Sequence, residues 1–180
     1  RQKTMKKLFT ILSIVALGFT ACEGDPGPQG PPGLDGLDAE YSKVVEVETT
    51  LSYNSDSGIW ESPIIEFPSN VEVLDGDAVI AYRLEYIDNG LDVWTQLPHN
   101  FFFSEGTMQY VFTHTIGDVQ FLIDGNYDLS NISTDYTDNQ IFRYVLIPTE
   151  FAEQFNGDFS NYNEVMSALE LNETDVQTLQ

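Results

Sequence analysis

The feature that most limits how this chain can fold is a regular alternation of apolar and polar residues. In residues 107–116 the large, mostly apolar side chains fall on every second position, which is the period of a β-strand with one buried face. Residues 45–53 show the same alternation. Between the apolar runs 78–87 and 91–97 lies Asn89-Gly90, a pair typical of a tight β-hairpin. These features predict a chain of short antiparallel strands.

One segment departs from this pattern. In residues 160–171 the apolar residues recur at helical spacing, and Asn161 and Glu164 are placed as a capping pair at its start. From residue 40 onward we expect roughly seven to nine short strands followed by this helix. We therefore predict a mainly β fold for residues 40–180. The expected architecture is an antiparallel β-sandwich, of jelly-roll or immunoglobulin-like type, with a short C-terminal helix over 160–171.

Residues 1–21 have the order of a secretory signal peptide, with a basic start, an apolar run over 8–19 and small residues before Cys22. We expect the signal proper to cover residues 5–21, with residues 1–4 lying ahead of the natural start. The apolar run is shorter than the roughly 20 residues that span a bilayer. Cys22 is the only cysteine of the chain, and the segment resembles a lipobox with Phe19 in place of the more usual Leu. We expect cleavage before Cys22 and lipid on its sulfur. The alternatives are an ordinary signal with a chance cysteine or a short membrane anchor.

Residues 22–39 join this anchor to the domain and contain five consecutive Gly-X-Y triplets over 24–38. Such triplets form the collagen triple helix, because only Gly fits at its axis. Prolines occur only in the first three triplets. A semi-rigid tether, extended at about 3.1 Å per residue, fits as well and is the interpretation we favour.

The chain is basic before Cys22 and strongly acidic after it. All 29 acidic residues follow it, together with only Lys43, Arg83 and Arg143, so residues 22–180 carry three cations against 29 acids, a formal charge of −26. Such a surface repels nucleic acid and anionic headgroups, which leaves lipid to hold the protein on a membrane. It attracts cations, among which calcium is the natural ion to consider.

A calcium loop is the sharpest candidate for a ligand site. Its oxygens, at places 1, 3, 5 and 12 of a twelve-residue loop, belong to Asp124, Asn126, Asp128 and Asp135. The sixth place holds Leu129 instead of Gly, and a strand precedes the loop where a helix is usual. Asp and Asn also cluster in loops because they form local turns, which is the alternative.

Aromatic residues give a second candidate site. The candidates for an aromatic surface on which a sugar or a protein partner stacks are Trp60, Trp94, Tyr86, Phe101, Phe102 and Phe103, and we single out Trp60, Trp94 and Phe102. The alternative is that they fill the core, as large aromatic residues usually do.

Catalysis finds little support in the sequence. His114 lies on the apolar face of its strand, which predicts a core histidine, and His99 has no nearby His or Cys to complete a metal site. Neither a Gly-x-Ser-x-Gly motif nor a phosphate-binding glycine loop occurs, and lipid would occupy Cys22. We therefore expect a protein that is not an enzyme.

The combination of a lipobox, a few Gly-X-Y triplets and one acidic β-domain resembles the small collagen-like lipoproteins of flavobacteria and other Bacteroidota. The stretches 91–98 (LDVWTQLP) and 139–148 (NQIFRYVLIP) are similar to that group. The resemblance implies an outer-membrane location, and Glu23 and Asp25 are similar to export signals for its outer face. We expect a non-catalytic accessory or interaction module with a protein partner there. A carbohydrate-binding module that takes a glycan is the alternative, and a small hydrolase is third.

Overall fold

The computed structural model describes residues 43–71 and 73–179. The strands in this part of the chain are β1 (Lys43–Thr49), β2 (Ser52–Asn54), β3 (Ile59–Glu61), β4 (Ile65–Glu66), β5 (Ala78–Asp88), β6 (Leu91–Gln96), β7 (His99–Phe102), β8 (Thr107–His114), β9 (Asp118–Gly125), β10 (Gln140–Ile147) and β11 (Val176–Leu179). The helices are α1 (Thr149–Gln154) and α2 (Tyr162–Ala168), with short 3₁₀ turns at Thr134–Tyr136 and Glu173–Asp175.

The strands form two sheets. Sheet A has the order β11-β1-β10-β5-β6, and sheet B has the order β2-β3-β9-β8-β7, with β4 also paired to β9. Neighbouring strands are antiparallel except for β11, which runs parallel to β1. The predicted antiparallel β-sandwich is therefore confirmed, with one parallel pair at its edge.

The main core lies between the two sheets, and the period-two pattern explains how it forms. Met108 and Tyr110 of β8 and Phe121 and Ile123 of β9 all point inward and are fully buried. Phe121 stacks on Phe142 of β10 with ring centroids 4.0 Å apart, which joins sheet B to sheet A. Aromatic contacts of this kind stabilise a core beyond the area that they bury.

Residues 45–53, expected to form a single strand, are divided between the sheets. The chain leaves β1 at Thr50 and enters β2 after Leu51, whose backbone N–H donates to the carbonyl of Thr137 at 2.8 Å. Val45, Val47 and Leu51 nevertheless all lie in the same core. Because both sheets face that core, the alternation continues unchanged through the crossover.

A helical layer covers the other face of sheet A. Val165, Met166 and Leu169 of the α2 segment and Phe151 of α1 pack with Val145 in a second buried cluster. This cover explains why β10 is almost entirely buried, since both of its faces meet apolar neighbours.

The C-terminal helix is confirmed but is shorter than the expected 160–171. Asn161 caps α2, and its side chain accepts from the Glu164 backbone N–H at 3.3 Å. The helix α1 and the strand β11 were not predicted. The expectation that His114 is a core residue was wrong, because it lies exposed at the end of β8. The signal peptide (1–21) and the Gly-X-Y segment (22–39) lie outside the described residues.

Candidate functional site

The β5–β6 hairpin extends beyond the rest of sheet A. The partner strand β10 pairs with β5 only as far as Arg83, whereas β6 pairs with it as far as Asp88. Residues 86–93, here called the hairpin tip, are therefore paired only with one another among the described strands. A two-stranded hairpin of this kind is only marginally stable in water by itself. Its shape must be maintained by the turn at its end and by contacts at its base.

The turn follows the sequence prediction. Asn89 and Gly90 have φ values of 50° and 84°, which is the positive-φ geometry of a two-residue hairpin turn. The Asn89 side chain donates to the Asp88 carboxylate at 3.0 Å.

Three large apolar side chains are exposed at the hairpin tip. Tyr86 is 61% exposed, Ile87 63% and Leu91 72%. Tyr86 pairs with Val93 across the hairpin, so it shares a face with Leu91, and Ile87 lies on the opposite face. Single exposed apolar residues are ordinary, but Tyr86 and Leu91 are diagonal neighbours on one face, with Ile87 behind them on the other, and such clustering is typical of an interaction site.

A polar network fixes the base of the hairpin. The pairing of β5 with β6 shifts between Leu84 and Tyr86, so Glu85 has no partner on β6. The Glu85 carboxylate accepts from Arg83 Nη1 at 2.7 Å, and His99 Nδ1 lies 2.9 Å from the same oxygen. That second contact places the ring proton of a neutral His99 on Nδ1. The network joins the hairpin to β7 of the opposite sheet.

Arg83 extends this network to a third strand. Its Nε and Nη2 donate to Gln140 Oε1 at 2.9 and 2.8 Å. The guanidinium lies over the Tyr110 ring, 4.5 Å from its centre. The Tyr110 hydroxyl donates to the Tyr136 carbonyl at 2.6 Å. Burial is the main reason that the pKa of Tyr110 lies above its ordinary value of 10.

An aromatic cluster adjoins this network. Phe101 lies 4.6 Å from the His99 ring and 5.5 Å from that of Tyr136, measured between centroids. Phe103 contacts Tyr136 and Tyr127 at 5.8 and 6.2 Å. These contacts close one part of the sandwich around the base of the hairpin.

The His99–Glu85 pair has the arrangement of a general base and its orienting carboxylate. Within residues 43–71 and 73–179, however, no Ser, Thr or Cys side chain is hydrogen-bonded to His99. What the pair does in this structure is connect the hairpin to β7.

Arg143 forms a second buried cationic centre, on the helical side of sheet A. Its guanidinium donates to Glu46 at 2.8 Å, to the Tyr162 hydroxyl at 2.6 Å and to both carboxylate oxygens of Glu173 at 2.8 Å. It also lies 4.3 Å from the Trp94 ring centre. Burial disfavours the charge, but the interactions with Glu173, Tyr162 and Glu46 together outweigh burial and raise the pKa of Arg143 above its ordinary value.

Three of the four residues proposed for calcium take part in local turns, and the fourth, Asn126, bonds to the neighbouring strand β8. Asp124 and Asp128 accept from backbone N–H groups one and two residues later, and Asn126 accepts from the Thr107 N–H at 2.7 Å. Hydrogen bonds from Ser130 lower the pKa of Asp128. Asp135 lies in the 3₁₀ turn that Ser133 caps. Among the described residues no group of three or more His, Cys, Asp or Glu side chains is arranged to hold a metal ion. The calcium site stays a prediction.

The structure does not bring Trp60, Trp94 and Phe102 together. Trp60 of β3 is half-buried against the main core and donates its indole N–H to the Leu129 carbonyl at 2.9 Å. Trp94 of β6 lies on the helical side of sheet A, over Arg143. Phe102 of β7 is 80% exposed on the outer face of sheet B. Of the three, only Phe102 is open to a ligand.

The hairpin tip was not predicted as a binding site, although Tyr86 was among the aromatic candidates and Asn89-Gly90 was predicted as the turn. Tyr86 and Ile87 are adjacent, and neighbouring residues of a strand point to opposite faces. Alternation places one of them away from the main core, but exposure does not follow from it, since the adjacent Ala81 and Tyr82 of the same strand are both buried.

Comparisons with protein-family models, with curated proteins and with solved structures found no match. None of the helices in residues 43–71 and 73–179 has the length and apolar character needed to cross a membrane. Cys22 lies outside the described residues.

Proposed function

We propose that this protein is a non-catalytic interaction module, held on the outer membrane by lipid on Cys22 and facing the cell exterior. In this proposal it binds a protein partner of an outer-membrane assembly through the hairpin tip. The observation that carries the proposal is the exposure of Tyr86, Ile87 and Leu91 at the end of one hairpin.

The base of the hairpin supports this role. Glu85 links it to Arg83 and His99, and both Arg83 and Glu85 have side chains that are nearly buried. A binding element held in place before the partner arrives loses less entropy on binding. With a rigid base, more of the free energy gained by burying a small apolar surface is therefore available for affinity.

The test places a photo-cross-linking residue at position 91 of the full chain and compares it with the same residue at position 64. Leu91 and Ile64 are matched in exposure, at 72% and 64%, but Ile64 lies outside the hairpin. In native membranes we expect a discrete adduct from position 91 and none from position 64. Equal labelling from both positions, or none from position 91, would contradict the proposal.

The anchor has a separate test. Cys22→Ser should leave unprocessed precursor or release the protein from the membrane fraction, because lipidation requires the thiol. Two or more acyl chains hold a protein stably, since each buried methylene contributes about 0.8 kcal/mol. Normal processing and full membrane retention of the variant would refute the lipid anchor.

A carbohydrate-binding module is the second candidate, and Phe102 is the observation that favours it. On the outer face of sheet B, exposed Phe102 lies two residues from Asn100, which pairs across the ladder with Gln109. An open aromatic ring beside two amides suits a sugar, whose C–H face stacks while its hydroxyls bond to the amides. Glycan-array binding by the full chain that is lost in Phe102→Ala would support this function, and an array without binding would count against it.

A further inference from the structure

The strand β6 has a free edge. It is the terminal strand of sheet A, and no backbone group of Leu91–Gln96 is bonded to anything but β5 among the described residues. In an antiparallel pair every second residue of an outer strand directs its N–H and C=O away from its partner. Proteins usually protect such edges with charged residues, Pro, a β-bulge or a very short strand. The strand β6 carries the exposed Asp92, and its pairing with β5 has the register shift between Leu84 and Tyr86, but it has six residues and contains neither Lys nor Pro, whereas β2, β7 and β11 have three or four residues.

We propose that the partner of the hairpin tip presents a basic, extended segment that adds to sheet A as a new strand along β6. This inference rests on the docking role proposed above and names the chemistry of the partner. Strand addition combines backbone hydrogen bonds, which give affinity, with alternate side chains, which give specificity. The exposed apolar residues at the hairpin tip would then be covered by the same partner.

The charge at the edge of β6 determines which charge the partner segment should carry. Asp88 and Asp92 are exposed on either side of Leu91. Of the cations in the described residues, Arg83 and Arg143 are buried and ion-paired.

The remaining described cation, Lys43, lies on β1, which β10 and β5 separate from β6. Arg83 and Arg143 lie next to β6, but carboxylates neutralise them, so the edge is negative with no unpaired positive charge beside it among the described residues, and a cationic segment complements it. A second copy of this acidic chain would be repelled.

The faces of β6 predict the pattern of the incoming strand. Trp94 points to the helical side of sheet A, so Asp92 does also, whereas Leu91 and Val93 point to the opposite side. Cross-strand neighbours interact as pairs. The segment should therefore carry Lys or Arg opposite Asp92 and apolar residues opposite Leu91 and Val93, in alternation.

The experiment measures binding of a fluorescent peptide, acetyl-Thr-Lys-Val-Lys-Val-Lys-Thr-amide, to the full chain in a neutral detergent. Three control peptides carry a central proline, Glu in place of every Lys, or the same residues in a non-alternating order. The protein variants are Asp92→Lys and, as a charge-matched control elsewhere, Asp56→Lys, whose carboxylate lies exposed in the β2–β3 turn. Hydrogen exchange of residues 91–96 gives an independent readout of strand formation.

We expect saturable, salt-sensitive binding of the Lys peptide and slower exchange at β6. Asp92→Lys should weaken binding of the Lys peptide about fivefold, the effect of a strong cross-strand pair, and should favour the Glu peptide. Asp56→Lys should bind as the native protein does. The proline peptide should bind at least about tenfold less, because proline removes a ladder donor and distorts the strand.

Equal binding of the proline and Lys peptides, or no effect of Asp92→Lys, would overturn strand addition. Absence of Lys-peptide binding, or sedimentation showing a homodimer that Asp92→Lys changes, would overturn it as well. The two proposals fail separately. An adduct from position 91 with any of these results leaves the docking role intact, whereas absence of that adduct removes the docking role itself.

Discussion

Replacing Arg143 with methionine tests whether a buried cation stabilises this fold. Methionine keeps much of the side-chain volume, so the change removes charge and hydrogen bonds more than packing. Arg143 is only 4% exposed, and it joins β10 to β1, to α2 and to the 3₁₀ turn before β11. Its loss therefore affects four elements at once.

The contacts suggest the size of the effect. The desolvated stack on Trp94 is worth about 2 kcal/mol. Glu46, whose side chain is 25% exposed, loses a charge-assisted bond worth about 1.5 kcal/mol. Glu173 is 66% exposed and is hydrated again, so its pair contributes under about 1 kcal/mol. Methionine avoids burying a charge, and we expect a net loss of about 3 kcal/mol, at the low end for breaking a buried ion pair.

Urea unfolding of the full chain measures this loss. With a slope of about 1.5 kcal/mol per molar urea, the midpoint should fall by about 2 M. Glu173→Gln should lower the free energy of unfolding by less than about 1 kcal/mol. Lys43→Met is the control, because it removes the same charge from a residue that makes no ion pair among the described residues.

Two outcomes would refute this reasoning. If Arg143→Met and Lys43→Met were equally stable, the buried network would contribute nothing and only net charge would matter. If Glu173→Gln cost as much as Arg143→Met, the stabilisation would come from one exposed carboxylate and not from the buried centre.

The buried tyrosines and the acidic loop give four further expected outcomes. Tyr82→Phe should destabilise the protein by about 1 kcal/mol, because the hydroxyl donates to the Phe159 carbonyl at 2.6 Å. Tyr144→Phe should be neutral or stabilising, because its buried hydroxyl has no partner among the described residues; thermal unfolding that ranks the two in the opposite order would contradict this. Burial raises the pKa of Tyr162 from 10 to about 12. The stability that the protonated hydroxyl contributes is therefore fully present below pH 10 and is lost as the pH rises through 12. Urea midpoints measured from pH 8 to 12 should fall above pH 10, and Tyr162→Phe should reduce the fall; a flat profile would count against it. If the loop at Asp128 binds calcium, chelator should lower the melting temperature of the native protein but not of Asp128→Ala, and an unchanged curve would leave the loop as turn chemistry.

Local patterns in the sequence predicted the strands and the tight turns of this fold. The alternation in 107–116 corresponds to β8, and Asn89-Gly90 forms the turn between β5 and β6. Both features depend only on residues that are close together in the sequence. The division of 45–53 between two sheets left no mark in the alternation, because both strands face one core.

The buried arginines could not be predicted in this way. A charged residue between apolar neighbours indicates a solvent-facing position, yet Arg143 is buried. It is buried because Glu46, 97 residues away, and Glu173, 30 residues away, come together around it. The same limit applies to the candidate site. Leu91 is exposed because it pairs with Asp88, in the part of the hairpin beyond Arg83, where β10 stops pairing with β5.

The pairing of β1 has a consequence for how the chain is made and delivered. Lys43 pairs with Leu146, and Val44 with Val176, so both neighbours of β1 are synthesised roughly 100 residues or more after it. At about 5–20 residues per second, β1 waits at least roughly 5–20 s without either partner. During that interval sheet A cannot close around its centre. For the exported chain that we propose, sheet A is therefore completed only after residues 140–179 have been synthesised, whereas the consecutive strands β5–β6 and β7–β8–β9 can pair earlier.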